Sequence, residues 1–377
     1  MTQEGRSMRE PGPPYRDIDT RNETGMSRHF DRLLIVADDL TGALDTAAPF
    51  AAAGKKVTVV ADQRFIAEAI ESDAAVITVT TRSREIPAGE AAQRVAAVKA
   101  ALKPGIRLFK KVDSRLKGNL EEELEALGFE RAVVLPGIPE FGRIVRNGMI
   151  EGFGVAAPIS IAEKLGRLAA RCRFPDTTTP EEMRAVADGI QPDELLVGAL
   201  SLAKAIAGGA STEAQPISYP THRVVMAVGS RDPITLEQVS KLRARYPDLA
   251  YHAAPNGVIS SSQTRQENAA ITLLQAVPAE TEVAATQAAA ALSASLATMV
   301  RQGDTVLLSG GATAEAYFDA QGIHLLRFVG EAMPGLPVAE MNGTFYITKS
   351  GGFGAEDTLV RLAEAVTGGE AEKTWGR

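Results

Sequence analysis

The stretch RLLIVADDLTGALDTAAPFAAAG, residues 32–54, decides the fold class of this chain. It opens with an apolar run of strand length, which is typical of a β-strand buried on both faces of a parallel sheet. The residues after Asp39 have the composition of a helix, and Gly54 is placed to end that helix. A buried strand that leads straight into a helix predicts the first unit of an α/β fold.

Further apolar runs of strand length follow in the first half of the chain and alternate with helical stretches. These runs are KVTVVA (56–61), VITVT (76–80), IRLFKKV (106–112) and RAVVLP (131–136). At the start of the helical stretch after residue 118, Asn119 and Glu122 fit a capping pair. Repeated alternation of buried strands and helices predicts an open, mostly parallel α/β sheet.

The same alternation resumes in the second half, after a small, polar and proline-containing stretch at 208–222. A chain of 377 residues exceeds the size at which single cores stop growing, about 250–300 residues. We therefore predict two open, mostly parallel α/β domains, 31–207 and 223–377, joined by a linker at 208–222 and preceded by a disordered tail at 1–30. The active site is expected in the cleft between the two domains.

Charge and composition exclude several classes of protein. The formal net charge is −7 and the isoelectric point about 5.4, which argues against a protein that coats nucleic acid. One cysteine and four scattered histidines cannot form a disulfide framework or a zinc site of known spacing. No stretch reaches the roughly 18–20 apolar residues that span a bilayer, and no secretory signal opens the chain. We expect a cytoplasmic protein with neither nucleic-acid nor membrane partners; a homodimer is left open.

Two adjacent carboxylates, Asp38 and Asp39, stand where the first strand ends. Ligands of open α/β sheets collect at the carboxyl ends of the strands, so these carboxylates are candidates for contacting hydroxyl groups or acting as a base. A simpler interpretation is that one of them caps the following helix, as aspartate commonly does. Asp45 is a third carboxylate within that helix and is equally consistent with a solvent-facing position.

A basic block, KKVDSRLKGN at 110–119, overlaps the end of the fourth strand. It gathers four cations around one aspartate: Lys110, Lys111, Arg115 and Lys117 around Asp113. On an acidic protein this block predicts a local trap for an anion, although a solvated surface turn would have the same composition. The loop PGIPEFGRIVRNG at 136–148 adds Arg143, a residue type suited to carboxylates and phosphates.

Three strands of the second half end in small or glycine-rich turns. The turns are VGS at 228–230, SGGATA at 309–314 and KSGGFG at 349–354. Glycines let a backbone approach phosphates closely, and a following helix N-terminus offers free amides. Together the turns predict a nucleotide pocket, whereas an ordinary connecting turn is the simpler interpretation of each alone. Neither the GxxxxGK[ST] phosphate loop nor the GxGxxG dinucleotide motif occurs in the sequence.

In these segments the chain resembles the four-carbon acid sugar kinase family. The first-half motifs of that family correspond here to ADDLTGALDT, KKVDSRLKGN and PGIPEFGR, and the second-half motifs to VGSRDPITLEQ, GGATA and TKSGGFGAED. The match runs in the same order from residue 33 to residue 365. The resemblance implies ATP-dependent phosphorylation of four-carbon sugar acids, such as erythronate or threonate, at the terminal hydroxyl. It also implies that the first domain holds the acid and the second holds ATP.

Carried over by position, the resemblance assigns residues to each substrate. The acid-facing set is Asp38, Asp39, Lys111, Asp113, Arg115 and Lys117, and the ATP-facing set is Ser230, Gly310, Gly311, Ala312, Thr313 and Gly352. Arg143 belongs to the third motif of the first domain, and Gly351 and Gly354 belong to the last glycine-rich turn. Three positions depart from the family pattern: Arg115 stands in place of threonine, Lys117 in place of arginine and Ala312 in place of an acidic residue.

We therefore predict an ATP- and Mg²⁺-dependent kinase for a short sugar acid. Asp38 or Asp39 would orient or deprotonate the attacking hydroxyl, and amides around Gly351–Gly354 would stabilise the transferred phosphoryl group. One alternative is a sugar-acid-binding sensor without catalysis, suggested by Ala312 and the altered basic block. Another is a nucleotide-independent isomerase, epimerase or lyase that acts on hydroxy acids, with the lysines and aspartates as acid and base.

Overall fold

The computed structural model describes residues 30–208, 217–259 and 269–368. Residues 1–29 of the predicted tail and residues 209–216 of the predicted linker lie outside the described residues. We call residues 30–208 the first half and the two later ranges the second half.

The first half is built on a parallel sheet. Its elements in chain order are β1 (Arg32–Ala37), α1 (Leu40–Ala52), β2 (Val57–Val60), α2 (Ile66–Glu71), β3 (Val76–Thr80), α3 (Ala88–Ala100), β4 (Ile106–Lys111), α4 (Leu120–Leu127), β5 (Arg131–Leu135), β6 (Arg143–Arg146), β7 (Met149–Gly152), β8 (Ile159–Ser160), α5 (Ile161–Leu165), β9 (Cys172–Arg173), α6 (Pro180–Asp188), β10 (Glu194–Gly198) and α7 (Leu200–Ala207). Across the sheet the parallel strands run in the order β2-β3-β1-β4-β10-β5-β9.

Alternate residues of β1 belong to two different cores. Leu33 and Ile35 pack into one core together with α1, whereas Leu34 and Val36 pack into the other. All four side chains are fully buried because the sheet is covered on both faces. This double burial is the reason that the strand is a continuous apolar run and not an alternating one.

The second half repeats the style with a different sheet order. Its elements are β11 (Val224–Val228), α8 (Pro233–Arg245), β12 (Ala250–Pro255), β13 (Ile271–Val277), α9 (Ala285–Ala297), β14 (Thr305–Ser309), α10 (Gly311–Gln321), β15 (Leu325–Met333), β16 (Leu336–Met341), β17 (Thr344–Lys349) and α11 (Thr358–Thr367). The strand order is β12-β13-β11-β14-β17-β16-β15, in which the last two pairings are antiparallel and the others parallel.

The two halves share one sheet. β15 lies antiparallel to β2, with Leu325 opposite Val60 and Arg327 opposite Thr58, and so joins the edge of one sheet to the edge of the other. Fourteen strands of the described residues therefore form a single sheet, and β6, β7 and β8 form a small separate one. The predicted α/β class with mostly parallel strands is confirmed; the pairing of the two sheets through edge strands was not foreseen.

Candidate active site

Neighbouring parallel strands of the first half bring three turns to one edge of the sheet. β3, β1 and β4 are adjacent, so the turns at 81–84, 38–39 and 112–118 meet there. We call these turns the first edge. They lie at the carboxyl ends of their strands, which is where open α/β sheets bind their ligands.

Asp38 lies at the end of β1 and is 3% exposed. Both of its oxygens accept hydrogen bonds from one guanidinium, with Nε of Arg84 at 2.8 Å from Oδ2 and Nη2 at 2.8 Å from Oδ1. Burial raises the pKa of Asp38, but the hydrogen bonds from Arg84 and the charges of two nearby lysines outweigh burial and hold the pKa below its usual value. Asp38 is therefore an ionised carboxylate at neutral pH.

Asp39 begins α1. Its Oδ1 accepts the backbone N–H of Gly42 at 2.9 Å, and its Oδ2 accepts the hydroxyl of Thr41 at 2.9 Å, which is the helix cap of the simpler interpretation. Nη1 of Arg84 also donates to Oδ2 at 2.6 Å, so one arginine holds both carboxylates. The Asp39 side chain is 23% exposed, against 3% for Asp38, so Asp39 is the more accessible of the two carboxylates.

Arg84 is the residue of the first edge that sequence reasoning missed. It follows β3 in the segment TTRSRE, residues 80–85. Because β3 is the neighbour of β1, its carboxyl end lies at the same edge, and this rule is the signal that could have found the turn. The rule does not distinguish Arg84 from Arg82, and only the structure shows which of the two reaches the aspartates.

Asn119 supports the turn that carries Arg84. Its Nδ2 donates to the carbonyls of Ser83 at 2.8 Å and Ile86 at 2.9 Å. The side chain makes no capping hydrogen bond to α4. The predicted capping pair with Glu122 is therefore wrong, because the loop after β3 uses the Asn119 amide instead.

The two lysines at the end of β4 point to opposite faces of the sheet, because successive side chains alternate along a strand. Lys110 is fully buried, and its Nζ lies 2.8 Å from a carboxylate oxygen of Glu123. Lys110 therefore belongs to the core, and its place in the predicted anion trap is wrong. Lys111 lies at the first edge, with Nζ 4.0 Å from Oδ1 of Asp39 and close to Gly42.

The turn after β4 contains Asp113, Arg115 and Lys117. Oδ1 of Asp113 accepts the backbone N–H of Arg115 at 2.9 Å and that of Lys117 at 3.4 Å, so the carboxylate shapes the turn itself. Lys117 is exposed, whereas Nη1 of Arg115 lies 3.5 Å from the carbonyl oxygen of Gly154. The contacts of these three residues with a substrate stay predictions.

Arg143 reaches the first edge from β6 of the small antiparallel sheet. This sheet was not predicted from the sequence. Its Nη1 donates to Oγ of Ser114, and its Nε donates to the carbonyl of Phe153 at 3.0 Å. Burial lowers the pKa of Arg143, and the charge of Arg115 lowers it further. Two guanidinium groups that repel one another favour an anion bound beside them.

Neighbouring strands also gather the turns of the second half. β11, β14 and β17 are adjacent, so the turns at 229–232, 309–312 and 350–355 meet; we call them the second edge, and residues 350–355 the glycine turn. The predicted ATP-facing residues that the structure places in or beside these turns are Ser230, Gly310, Gly311, Ala312, Thr313, Gly351, Gly352 and Gly354.

Close packing explains several glycines of the second edge. A Cβ on Gly229 would clash with Oγ1 of Thr313, and a Cβ on Gly351 would clash with the side chain of Ser230. Gly310 has φ +110°, a conformation that glycine adopts readily, and it directly precedes α10. The three turns therefore pack on one another through backbone and small side chains.

Two predicted residues lie at the margin of the second edge. Ala312 is exposed in the first turn of α10. Gly354 has φ +93°, and a Cβ on it would lie 2.6 Å from Oγ1 of Thr358 at the start of α11. The glycine turn therefore packs against Ser230 at one end and against the start of α11 at the other.

Helix α10 connects the two edges. It begins in the second edge, and one turn later the carboxyl group of Glu315 lies near the backbone of Leu40, whose amide opposes the rise in the pKa of Glu315 that burial causes. Asp319, a further turn along, accepts a hydrogen bond from Nη1 of Arg82 at 2.6 Å. Because Leu40 directly follows Asp39, the first and second edges are neighbours across the junction of the two halves.

Asp45 is half-buried on α1 at this junction. Burial raises its pKa to about 7; the charge of Lys111 opposes that shift, and the charges of Asp39 and of Glu331 on β15 add to it. The interpretation of Asp45 as a solvent-facing residue is therefore wrong. Its carboxyl group instead lies near enough to Glu331 of the second half for the two charges to interact.

Other candidate chemistries find little support in the described ranges. Burial raises the pKa of the Cys172 thiol to about 11, which keeps it protonated at neutral pH. Within residues 30–208, 217–259 and 269–368, no group of three or more His, Cys, Asp or Glu side chains is arranged to hold a metal ion. None of the helices in those ranges combines the length and the apolar content that crossing a membrane requires.

Comparison with known families divides the chain in the same way as the two edges. Residues 33–157 match the family described as "Sugar-binding N-terminal domain", and residues 225–359 match the family described as "Nucleotide-binding C-terminal domain". The first range contains the whole of the first edge, and the second range contains the whole of the second edge.

Individual relatives agree with these matches. A D-threonate kinase of Bordetella bronchiseptica is 28% identical over 395 residues, which cover 88% of this chain and 96% of the relative. A D-erythronate kinase of Heliobacterium modesticaldum is 38% identical over 128 residues, 31% of this chain and 28% of the relative. The crystal structure of a Haemophilus influenzae protein shares the fold, with a TM-score of 0.65 and 18% identity over 89% of this chain and 99% of that one. The chain therefore belongs to the four-carbon acid sugar kinase family.

Proposed function

We propose that this protein uses ATP to phosphorylate the terminal hydroxyl of a four-carbon sugar acid. Its relatives are named as kinases of such acids, and its second half matches a nucleotide-binding domain. The observation that carries the proposal is the contact of α10 with the start of α1. This contact sets an edge rich in charged side chains beside an edge rich in glycine, as transfer between an acid and a nucleotide requires.

The first edge offers cations for the carboxylate of the acid and a carboxylate for its hydroxyl. The proposed cationic residues are Lys111, Arg115, Lys117 and Arg143. Asp39 is the proposed group that orients and deprotonates the attacking hydroxyl, because it is the more exposed aspartate. Asp38 then has a different part: with both oxygens on Arg84, it fixes the guanidinium that also holds Asp39.

The second edge offers backbone amides for the phosphates of ATP. If Mg²⁺ binds with the nucleotide, it would supply positive charge against the negative charge that develops on the transferred phosphoryl group. Such a cation is commonly held by phosphates together with one or two carboxylates, and Asp232 fits that part. A Cβ on Gly352 would lie 3.0 Å from Oδ2 of Asp232, while Oδ1 of the same carboxylate accepts the N–H of Ile234 at 2.9 Å.

A coupled assay of ADP release, with Mg²⁺ and ATP, tests the proposal. The acids supplied are erythronate, both threonate enantiomers, 3-oxo-tetronates and several five- and six-carbon sugar acids. We expect ADP release that requires one of the four-carbon acids and that falls by about 100-fold or more in Asp39→Asn. The control is Arg131→Met, which removes an exposed ion pair with Asp193 at the opposite end of β5 and should leave the activity unchanged.

Other outcomes would contradict the proposal. Acid binding without ADP release under every condition would identify a sugar-acid sensor, the alternative that Ala312 and the altered basic block suggest. Conversion of an acid in the absence of nucleotide would identify an isomerase, epimerase or lyase. In that case an ATP analogue should not raise the melting temperature, since a ligand stabilises only a protein that binds it.

A further inference from the structure

Buried side chains hold the glycine turn in place by donating hydrogen bonds to its carbonyl oxygens from the interior of the protein. Four of its carbonyl oxygens, those of Ser350, Gly351, Phe353 and Ala355, accept hydrogen bonds from three buried residues. The three donors are Lys349, Thr235 and Gln238. All three side chains are fully buried, so their polar groups make hydrogen bonds inside the protein and have no access to solvent.

Lys349 is the last residue of β17. Its ammonium group donates to the carbonyls of Ser350 at 3.0 Å and Gly351 at 3.1 Å, and to Oγ1 of Thr235 at 3.1 Å. An ammonium group has three N–H donors, and each of them finds an acceptor here. Burial lowers the pKa of Lys349 to about 8, partly offset by the charge of Asp232, so placing the ammonium here is energetically costly.

Thr235 and Gln238 lie one helical turn apart on the buried face of α8. The hydroxyl of Thr235 donates to the carbonyl of Gly351. Nε2 of Gln238 donates to the carbonyls of Phe353 at 3.0 Å and Ala355 at 2.8 Å. The first turns of α8 thus hold both ends of the glycine turn.

Fixing these carbonyls also fixes amides. In a trans peptide, the C=O of one residue and the N–H of the next lie in one plane and point in opposite directions. With the carbonyls of Ser350, Gly351 and Phe353 turned inward, the N–H groups of the three glycines that follow them are turned outward. Among the described residues, no hydrogen-bond acceptor is found for the N–H groups of these glycines: Gly351, Gly352 and Gly354.

We infer that Lys349, Thr235 and Gln238 are positioning residues, which hold three peptide planes so that the amides of the glycine turn face the phosphates of the nucleotide. Successive outward amides form a concave anion site, and a site held rigid before binding loses less entropy when the anion arrives. The inference rests on the proposed function and adds to it three residues that would act through the backbone, without touching the nucleotide.

The test compares substitutions beneath the turn with a matched substitution elsewhere. Thr235→Val keeps the shape of the side chain and removes its hydroxyl, and Lys349→Met and Gln238→Leu remove the other donors. The control is Ser295→Ala in α9, where Oγ donates at 2.8 Å to the carbonyl of Gly257, in a turn outside both edges. Each variant in the full-length chain is titrated with the non-hydrolysable analogue AMP-PNP and Mg²⁺, and the KM for ATP, the KM for the acid and kcat are measured.

We expect Thr235→Val to weaken AMP-PNP binding and raise the KM for ATP by about tenfold, the equivalent of one lost hydrogen bond. Lys349→Met and Gln238→Leu should have larger effects in the same direction. The KM for the acid should stay constant, and Thr235→Ser, which keeps the hydroxyl, should restore nucleotide affinity. Ser295→Ala should leave both KM values unchanged.

Two results would overturn the inference. Thr235→Val that binds AMP-PNP as tightly as the wild type would show that the held carbonyls do not govern the amides. Equal loss of acid and nucleotide affinity would show a general effect on the fold. If the wild type itself binds no AMP-PNP, the proposed function fails first, and that failure is recognised before any variant is made. Should Lys349→Met not fold, the conservative pair at Thr235 still decides the question.

Discussion

The two edges prepare for their ligands by different means. The first edge consists of charged side chains that neutralise one another, with Arg84 holding both Asp38 and Asp39. The second edge consists mainly of backbone that buried side chains hold in place; Lys349 lies beneath the glycine turn, Asp232 lies beside it, and Arg231 pairs with Glu282. We therefore expect ligand binding at the first edge to be sensitive to a change of charge, and ligand binding at the second edge to be sensitive to a change of shape.

The largest effect should follow from breaking the charge balance of the first edge. Arg84→Met leaves Asp38 as a buried carboxylate without its bidentate partner, so we expect the free energy of unfolding to fall by about 3–5 kcal/mol. Acid affinity should be lost as well, because Asp39 loses the same guanidinium. Urea unfolding measures the first effect, and titration with the acid measures the second.

Arg131→Met is the control for this variant. The ion pair of Arg131 with Asp193 is exposed on both sides, so its loss should change the free energy of unfolding by less than about 1 kcal/mol. If the two variants lose equal stability, Arg84 does not offset the cost of burying Asp38. The claim that the first edge depends on its charge balance would then be wrong.

A smaller effect should follow from changing the shape of the second edge. The Cβ of Gly351→Ala would clash with Ser230, so one of the two turns must move. We expect nucleotide affinity to fall by about 10- to 100-fold, the cost of roughly one or two misplaced hydrogen bonds, with acid affinity unchanged. Calorimetric titration with AMP-PNP and with the acid separates the two affinities.

Gly311→Ala tests whether the nucleotide itself contacts the start of α10. A Cβ on Gly311 would meet no protein atom within 4 Å, so this substitution should leave the stability unchanged or slightly higher. A loss of nucleotide affinity in this variant would therefore come from contact with the nucleotide itself. Unchanged affinity would mean that the phosphates lie away from the start of α10.

The smallest effect concerns the junction of the halves. Since burial raises the pKa of Asp45 from 3.8 to about 7, its folded form holds a proton that its unfolded form releases. The stability that Asp45 contributes is therefore fully present below pH 3.8 and is lost as the pH rises to about 7. Asp45→Asn should remove this dependence and stabilise the protein above pH 7 by on the order of 1 kcal/mol, after discount for solvent screening of this half-buried group.

Unfolding experiments at several pH values from 4 to 8 would measure the slope. Asp193→Asn, a change at an exposed carboxylate, serves as the control and should leave the slope of the wild type unaltered. A slope that persists in Asp45→Asn would assign it to other carboxylates of the junction, such as Glu331.

The sequence predicted the strands and the position of the candidate turns well, for physical reasons. Strands buried on both faces must be apolar throughout, and their carboxyl ends are marked by polar or glycine residues. The assignment of Lys110 was wrong because proximity in the sequence hides the alternation of a strand, which sends Lys110 into the core and Lys111 to the first edge. Arg84 was missed because its importance comes from a neighbouring strand.

Contacts made through the backbone left no visible pattern in the sequence. Thr235 and Gln238 have the spacing of any helix face, and their function depends on carbonyls more than 100 residues away in the chain. The pairing of β15 with β2 was equally hidden, since both strands have the composition of ordinary sheet strands. Long-range pairings of this kind require the folded chain.

The pairing of β2 with β15 has a consequence for dividing the protein. If the chain were cut between residues 207 and 223 and the fragments were produced separately, each would carry an uncovered edge strand with unpaired N–H and C=O groups. Uncovered edge strands of this kind can pair with strands of other molecules and so lead to aggregation. Produced together, the fragments offer each other the complementary strand. Because β2 and β15 cover each other in the intact protein, we expect the two fragments to be more soluble when produced together than when either is produced alone.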